Sequence, residues 1–178
     1  MDNRTLLLAG PLACLAAILT LAGCVTTSRH PEVTVARSDD AQGDRARRFG
    51  EGAISVMTNP LIDDQVRMLF GVDWKGGAPG GTRASAPEFF TASAPPRLVE
   101  IGGVEYVAVT GCRALACGRD RGLLLIRTDG NQFLARLDEG GFSHYYGHGS
   151  VDMHRWSRAG LNAAWDELEE RRWVSHRS

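Results

Sequence analysis

The clearest pattern in this 178-residue chain is a series of short apolar segments separated by glycine-containing turns. Gly102-Gly103 and Asp129-Gly130-Asn131 each separate two such segments, as expected for hairpins. Four successive strands joined in this way predict an antiparallel meander, with a cysteine-containing loop between its two middle strands. The four predicted strands are residues 98–101, 104–110, 122–128 and 132–137.

A helix is predicted between Asn59 and Gly71. Asn59 suits the N-cap, Pro60 suits the first helical position, and Gly71 suits the C-terminal stop. Asp63 and Asp64 would lie in the first turn, where the helix dipole favours anions. The apolar stripe of this helix is Ile62, Val66, Leu69 and Phe70.

Residues 76–96 are rich in glycine and proline and are predicted to form a surface loop. Their glycines lack the strand-to-helix context and the terminal Lys-Ser/Thr of a phosphate-binding loop. After the strands, Ser150 can cap one or two further helices, with Gly160 as the point of interruption. Their apolar face would pack on the sheet and consists of Met153, Trp156, Leu161, Ala164, Trp165 and Leu168. The predicted fold class is therefore α+β, an antiparallel sheet of at least four strands flanked by helices.

The N-terminus is typical of an exported lipoprotein. Arg4 precedes an apolar run over residues 6–23, which suits a signal sequence. The run ends in Leu21-Ala22-Gly23-Cys24, which resembles the lipobox at which bacterial lipoprotein signals are cleaved and the cysteine receives its lipid. The alternative is an uncleaved membrane anchor, since about 18 apolar residues are just long enough to span a bilayer. Val25, where an inner-membrane retention signal would carry Asp, favours the outer membrane, with the protein facing the periplasm.

Residues 1–23 are thus interpreted as the signal peptide, residues 24–49 as a polar, lipid-anchored linker, and residues 50–178 as the folded domain. The formal net charge is −1. Removing residues 1–23 takes away one basic and one acidic residue, so the balance does not change. A general affinity for nucleic acid is not expected from this charge.

Export also decides the state of the cysteines. Cys14 would leave with the signal peptide and Cys24 would be lipidated, which leaves Cys112 and Cys117 in the domain. Two cysteines so close in sequence, in an oxidising compartment, predict a disulfide. Closing so short a loop contributes about 2 kcal/mol to stability. Its larger effect would be to fix the shape of a protruding turn.

The order of four stretches in the chain is that of a known family. They are the Trp-Lys-Gly-Gly run at 74–77, the strand start at 103–106, the Cys-x4-Cys-Gly loop at 112–118, and the hairpin at 123–137. In this order the chain resembles the Ivy family, the inhibitors of vertebrate-type (c-type) lysozyme. The resemblance implies a periplasmic α+β protein that inserts its cysteine-closed loop into the lysozyme cleft.

The loop interior departs from the Ivy pattern. Family members carry Lys-Pro-His-Asp between the cysteines, and the His hydrogen-bonds to the two catalytic carboxylates of lysozyme. This chain has Arg113, Ala114, Leu115 and Ala116 instead, so only the cation is kept. These four residues, with Arg119 and Arg121, are the predicted partner-binding site, because guanidinium groups pair well with carboxylates. The alternatives are that the arginines form a solvated rim and that Leu115 folds inward.

Two enzymatic or metal-binding hypotheses are weaker. His144, His148 and His154 could join Cys112 and Cys117 in a zinc site, but the long spacer and the oxidising compartment count against it. No Gly-x-Ser-x-Gly nucleophile motif accompanies the Ser-His pair at 143–144. We therefore expect no enzymatic activity, no metal and no cofactor.

The sequence predicts a lipid-anchored, periplasmic protein-binding domain, with c-type lysozyme as the partner and membrane attachment through Cys24. The alternative is an envelope lipoprotein with a structural or assembly role that has lost lysozyme inhibition. Whether the chain forms a homodimer stays open.

Overall fold

The computed structural model describes residues 31–36, 40–149 and 155–174. The predicted signal peptide and Cys24 lie outside these ranges, as do Ser150, Met153 and His154. The strands are β1 (Val33–Val35), β2 (Ala92–Ser93), β3 (Arg97–Ile101), β4 (Val104–Cys112), β5 (Arg121–Arg127), β6 (Gln132–Glu139) and β7 (Phe142–Gly149). The α-helices are α1 (Asp40–Ala46), α2 (Ala53–Met57), α3 (Asp63–Phe70) and α4 (Arg155–Val174), and two 3₁₀ helices span Gly71–Trp74 and Ala86–Phe90.

The strands form one antiparallel sheet in the order β1-β3-β4-β5-β6-β7, with β2 paired to the end of β4. The α+β class and the four predicted strands of the meander are confirmed. The sequence prediction missed β1 and β2, which are too short to show periodicity, and β7, whose His, Tyr and Gly residues form no apolar run. The register aligns Cys112 with Arg121, so β4 and β5 stay paired up to the cysteine loop.

Two hydrophobic cores lie on opposite faces of the sheet. Leu124 and Ile126 belong to the core under α2, α3 and the second 3₁₀ helix, whereas Leu123 and Leu125 belong to the core under α4. Successive side chains of a strand point to opposite faces, so a strand covered on both sides can be apolar at every position. This explains the uninterrupted apolar run of β5. Among the described helices, none combines the length and the apolarity needed to cross a bilayer.

The prediction of a polar linker extending to residue 49 is wrong for its second half. Val35 is buried in β1, which pairs with β3, and α1 begins at Asp40. Ala46 and Phe49 are buried in the first core. A few apolar side chains at the sheet edge are enough to fold a segment whose composition is otherwise that of a linker.

The regular part of α3 begins at Asp63, three residues after the predicted first helical residue, Pro60. The Asn59 side chain accepts a hydrogen bond of 2.8 Å from the amide of Leu61, so it caps the turn that precedes the helix. The helix ends at Gly71, with φ at 54°, as predicted. The apolar stripe of the helix is buried as expected.

Packing corrects one further prediction and decides between the alternatives of another. The segment 76–96 is not simply a surface loop, because its 3₁₀ helix buries Phe89 and Phe90 against the sheet. Of the two alternatives for the C-terminal segment, one helix or two, residues 155–174 form a single helix, α4, which Gly160 does not interrupt. A Cβ atom at Gly160 would lie 3.0 Å from Cγ2 of Ile101, so the glycine lets the helix approach β3 closely.

Candidate functional site

The loop between β4 and β5 is closed by the predicted Cys112–Cys117 disulfide, with the two Cα atoms 4.9 Å apart. Within it, the amide of Ala116 donates to the Arg113 carbonyl at 3.0 Å, and the Asp120 amide donates to the Ala116 carbonyl at 2.8 Å. Cys112 is buried at the end of its strand, whereas Cys117 is exposed. The result is a compact, covalently closed protrusion at one end of the sheet.

Leu115 forms the tip of this loop. Its relative exposure is 107 %, so neither the rest of the loop nor the sheet covers it. Its backbone has φ at 68°, and it is the one residue other than glycine with a positive φ in the described ranges. A branched apolar residue is unfavourable in this left-handed conformation, by about 1–2 kcal/mol. Of the two alternatives for Leu115, the structure places it outward. Ala114 beside it is exposed and Ala116 is half-buried.

Arg113 is held within the chain rather than free at the tip. Its Nη1 donates a hydrogen bond of 3.2 Å to Oδ2 of Asp120, and its Nε lies 3.7 Å from Oε2 of Glu88. Asp120 is almost completely buried and also accepts a 3.2 Å hydrogen bond from the amide of Gly140. Arg113 therefore braces the loop against the 3₁₀ helix and the sheet.

The other two predicted arginines lie in different surroundings. Arg121 faces α4, where its Nη1 lies 2.9 Å from Oε2 of Glu169 and its guanidinium carbon lies 5.0 Å from the ring centre of Trp165. It anchors the helix and is remote in function from the loop tip. Arg119 is exposed, and no ion pair to it occurs among the described residues. The structure thus places Arg121 away from the loop tip, pairs Arg113 within the chain and leaves Arg119 exposed.

An open cleft of about 830 Å³ lies beside the disulfide loop. The sequence gives no linear signal for it, because its walls come from three distant segments that meet at the same end of the sheet. Phe142, at the β6–β7 turn, lines it and is 75 % exposed. The cleft is lined by Gly80, Gly81, Arg83, Ala84, Glu88, Arg113, Ala116, Arg119, Asp120, Glu139, Gly140, Phe142, Ser143 and His144.

Close packing on two glycines positions one wall of this site. Gly111 of β4 is paired with Gly122 of β5, directly before the loop. A Cβ atom on Gly111 would lie 2.8 Å from Cα of Phe90, and one on Gly122 would lie 2.7 Å from Cζ of the same residue. Because these two glycines have no side chains, Phe90 packs directly against the backbone of β4 and β5. Phe90 holds the 3₁₀ helix that carries Glu88, one of the partners of Arg113.

The opposite wall is fixed by hydrogen bonds. Glu139 accepts bonds from the amides of Arg83 and Ala84, at 2.8 and 3.0 Å. Nearby, the Tyr146 hydroxyl donates a 2.8 Å hydrogen bond to Asp73, which also accepts one of 3.0 Å from the Thr82 amide. Burial and the hydrogen bond to Asp73 raise the pKa of Tyr146 well above its ordinary value.

The histidines of the zinc hypothesis do not join the cysteines. Cys112 and Cys117 are bonded to each other, and His144 and His148 lie on β7. In the part of the chain that the structure describes, no group of three or more His, Cys, Asp or Glu residues is arranged to hold a metal ion. His154 lies outside that part.

Comparison of this chain with protein-family models, with curated proteins and with solved structures finds no match. The resemblance to the Ivy family therefore stays a prediction from the residues that carry it.

Proposed function

We propose that this protein is a protein-binding domain that inserts its Cys112–Cys117 loop into a concave site of another protein, and that it inhibits c-type lysozyme in this way. The observation that carries the proposal is Leu115, an apolar side chain fully exposed at the tip of a covalently closed loop. A large apolar group held away from every other part of the fold contributes nothing to the core. It is suited to being buried by a partner.

The energetics of such a contact are favourable. Burying a leucine side chain contributes about 1.5–3 kcal/mol. The disulfide and the turns within the loop limit the conformational freedom that is lost on binding, which would otherwise reduce the affinity. A rigid loop with one apolar anchor at its tip therefore matches a narrow pocket better than a flat surface.

The choice of c-type lysozyme rests on the resemblance to the Ivy family, whose loops enter the lysozyme cleft. The imidazole of those loops is absent here. Arg113 is already paired with Asp120 and Glu88, so Arg119 is the loop cation without an ion-pair partner in the described ranges. We therefore propose that the contact consists of Leu115 in an apolar part of the cleft and Arg119 near its carboxylates.

The test is inhibition of cell-wall lysis by c-type lysozyme in the presence of an equimolar amount of the purified chain. The Leu115→Asp variant should lose inhibition, because it would place a charge in the apolar contact. Leu61→Asp is the matched control: Leu61 is 76 % exposed and lies in the turn before α3, outside the loop. Parallel assays with g-type and i-type lysozymes define specificity. If the chain does not slow any lysozyme, the alternative of a structural or assembly role in the envelope is preferred.

The proposed location is the periplasmic face of the outer membrane, with a lipid anchor at Cys24. Its support is the lipobox-like Leu21-Ala22-Gly23-Cys24 sequence and the Val25 that follows. Replacing Cys24 with Ser should release the protein from the membrane fraction. Retention of the Cys24→Ser variant in the membrane would instead favour an uncleaved N-terminal anchor.

A further inference from the structure

The cleft beside the disulfide loop contains three arginines and three carboxylates, yet these groups are not equally available to a ligand. Glu139 is engaged on both oxygens by the amides of Arg83 and Ala84. Asp120 is engaged by Arg113 on one oxygen and by the Gly140 amide on the other. The acceptors of these two carboxylates are therefore largely occupied by the protein itself.

The third carboxylate, Glu88, is also engaged. Its Oε1 accepts hydrogen bonds from the amide and the hydroxyl of Ser85, at 3.2 and 2.9 Å, and its Oε2 faces Arg113. Ser143 likewise donates a 2.7 Å hydrogen bond to Asp138. The carboxylates thus hold the cleft walls in place.

Two of the cationic groups of the cleft, in contrast to its carboxylates, are available to a ligand. The guanidinium groups of Arg83 and Arg119 are exposed, and neither has a hydrogen-bond or ion-pair partner within the described ranges. The imidazole of His144 lines the same cleft. The guanidinium donors of Arg83 and Arg119 are thus not used by the described residues, whereas the carboxylate acceptors of the cleft are. The cleft volume of about 830 Å³ is within the usual range of ligand clefts. Together these features suit an anionic ligand.

We propose that this cleft binds carboxylate groups through Arg83 and Arg119, and that the ligand carries an apolar portion that contacts Phe142. The planar guanidinium group pairs with carboxylate in a two-point geometry. A phosphate dianion is less suitable, because it concentrates two charges on one group close to Glu88, Asp120 and Glu139, whereas a dicarboxylate divides the same charge between two separate groups. The carboxylates belong either to a free small molecule or to acidic side chains of a bound protein. If the ligand is a free small molecule, the inference does not depend on the proposed function. If the carboxylates belong to a bound protein, the inference rests on the proposed function.

The first experiment titrates the purified full chain, in detergent, with glutarate and follows the amide NMR signals of Gly80, Gly81 and Gly140. Saturable shifts of these signals are expected with glutarate and not with neutral glutaramide. Arg83→Gln and Arg119→Gln should each weaken binding about tenfold, because each removes a charge-assisted hydrogen bond. Arg48→Gln is the matched control, an exposed arginine outside the cleft. Inorganic phosphate binding as tightly as glutarate would overturn the carboxylate specificity.

The second experiment measures binding of the Arg83→Gln/Arg119→Gln double variant to immobilised c-type lysozyme, before and after amidation of the lysozyme carboxylates. Weaker binding of the variant to untreated lysozyme, with no further loss after amidation, would assign the carboxylates to the protein partner. If lysozyme does not bind the wild-type chain, the proposed function fails, and the glutarate titration alone decides the cleft. No glutarate binding, together with unchanged lysozyme binding by the double variant, would overturn the proposal.

Discussion

The guanidinium group of Arg113 donates a hydrogen bond of 3.2 Å to the carboxylate of Asp120, and the amide of Arg113 donates one of 3.0 Å to the Asp120 carbonyl. These two bonds join the start and the end of the disulfide loop. Because Asp120 is buried at the base of the loop, its negative charge is compensated mainly within the chain. The cation that the resemblance to the Ivy family would place against a partner therefore braces the loop.

Replacing Arg113 with Gln should lower the free energy of unfolding by about 1–2 kcal/mol, because the buried Asp120 carboxylate would lose its charged partner. Chemical denaturation measures this loss. Arg119→Gln is the control, since that side chain is exposed and has no ion pair among the described residues, and its stability should not change. Equal stability of wild type and Arg113→Gln would show that the ion pair does not brace the loop.

Replacing Leu115 with Asn should leave the free energy of unfolding unchanged or raise it by up to about 1 kcal/mol, since Asn tolerates the left-handed backbone conformation better than leucine. The same variant should lose binding to the partner, because its amide cannot replace the apolar contact. Thermal unfolding and the lysozyme assay measure the two effects. Loss of stability in the variant would mean that Leu115 serves the fold, contrary to the proposed function.

Replacing Gly111 with Ala should destabilise the protein by about 1–3 kcal/mol, because the added methyl group overlaps the backbone of Phe90. The second 3₁₀ helix must then move away from the sheet and carry Glu88 away from Arg113. Gly118→Ala is the matched control: a Cβ atom on Gly118 meets nothing within 4 Å. A Gly111→Ala protein as stable as Gly118→Ala would contradict this account of the packing.

Stability should fall as the pH rises above 10.0, the ordinary pKa of tyrosine. Burial and the Asp73 hydrogen bond raise the pKa of Tyr146, and burial also raises that of Tyr106. Below pH 10 both hydroxyls are protonated in the folded and the unfolded chain. Above it the unfolded chain ionises first, so the free energy of unfolding decreases.

Denaturation at pH 9 and pH 11 tests this effect on wild type and Tyr146→Phe. The variant should be less stable at pH 9, because Asp73 loses a hydrogen bond. Between pH 9 and pH 11 the free energy of unfolding should decrease less in the variant than in wild type. The difference should be up to about 1 kcal/mol, because the ring is partly exposed. If the free energy of unfolding decreases equally in wild type and Tyr146→Phe, ionisation of Tyr146 does not contribute to the loss of stability.

Local patterns are sufficient to predict the four-stranded meander, the disulfide and the burial of Leu161, Ala164, Trp165 and Leu168 on α4. Glycine turns and apolar runs are short-range signals, and residues 50–178 contain two cysteines, which leave one pairing within that segment. Weak or absent local signals account for the missed elements. The strand at 33–35 has only three residues and lies in a segment of polar, charged composition that is typical of a linker. The strand β7 consists largely of His, Tyr and Gly, which form no apolar pattern.

The amino-acid sequence on its own determined that the four strands between residues 98 and 137 pair in order and that a closed loop lies between β4 and β5. The orientation of each side chain around that loop was decided by tertiary packing. Arg121 faces α4 because of its place in the register of β5, Arg113 meets Asp120 because the loop folds back, and Leu115 points outward. The cleft exists because segments near residues 83, 119 and 142 converge at one end of the sheet. Such convergence depends on contacts between residues far apart in the chain, which no local pattern contains.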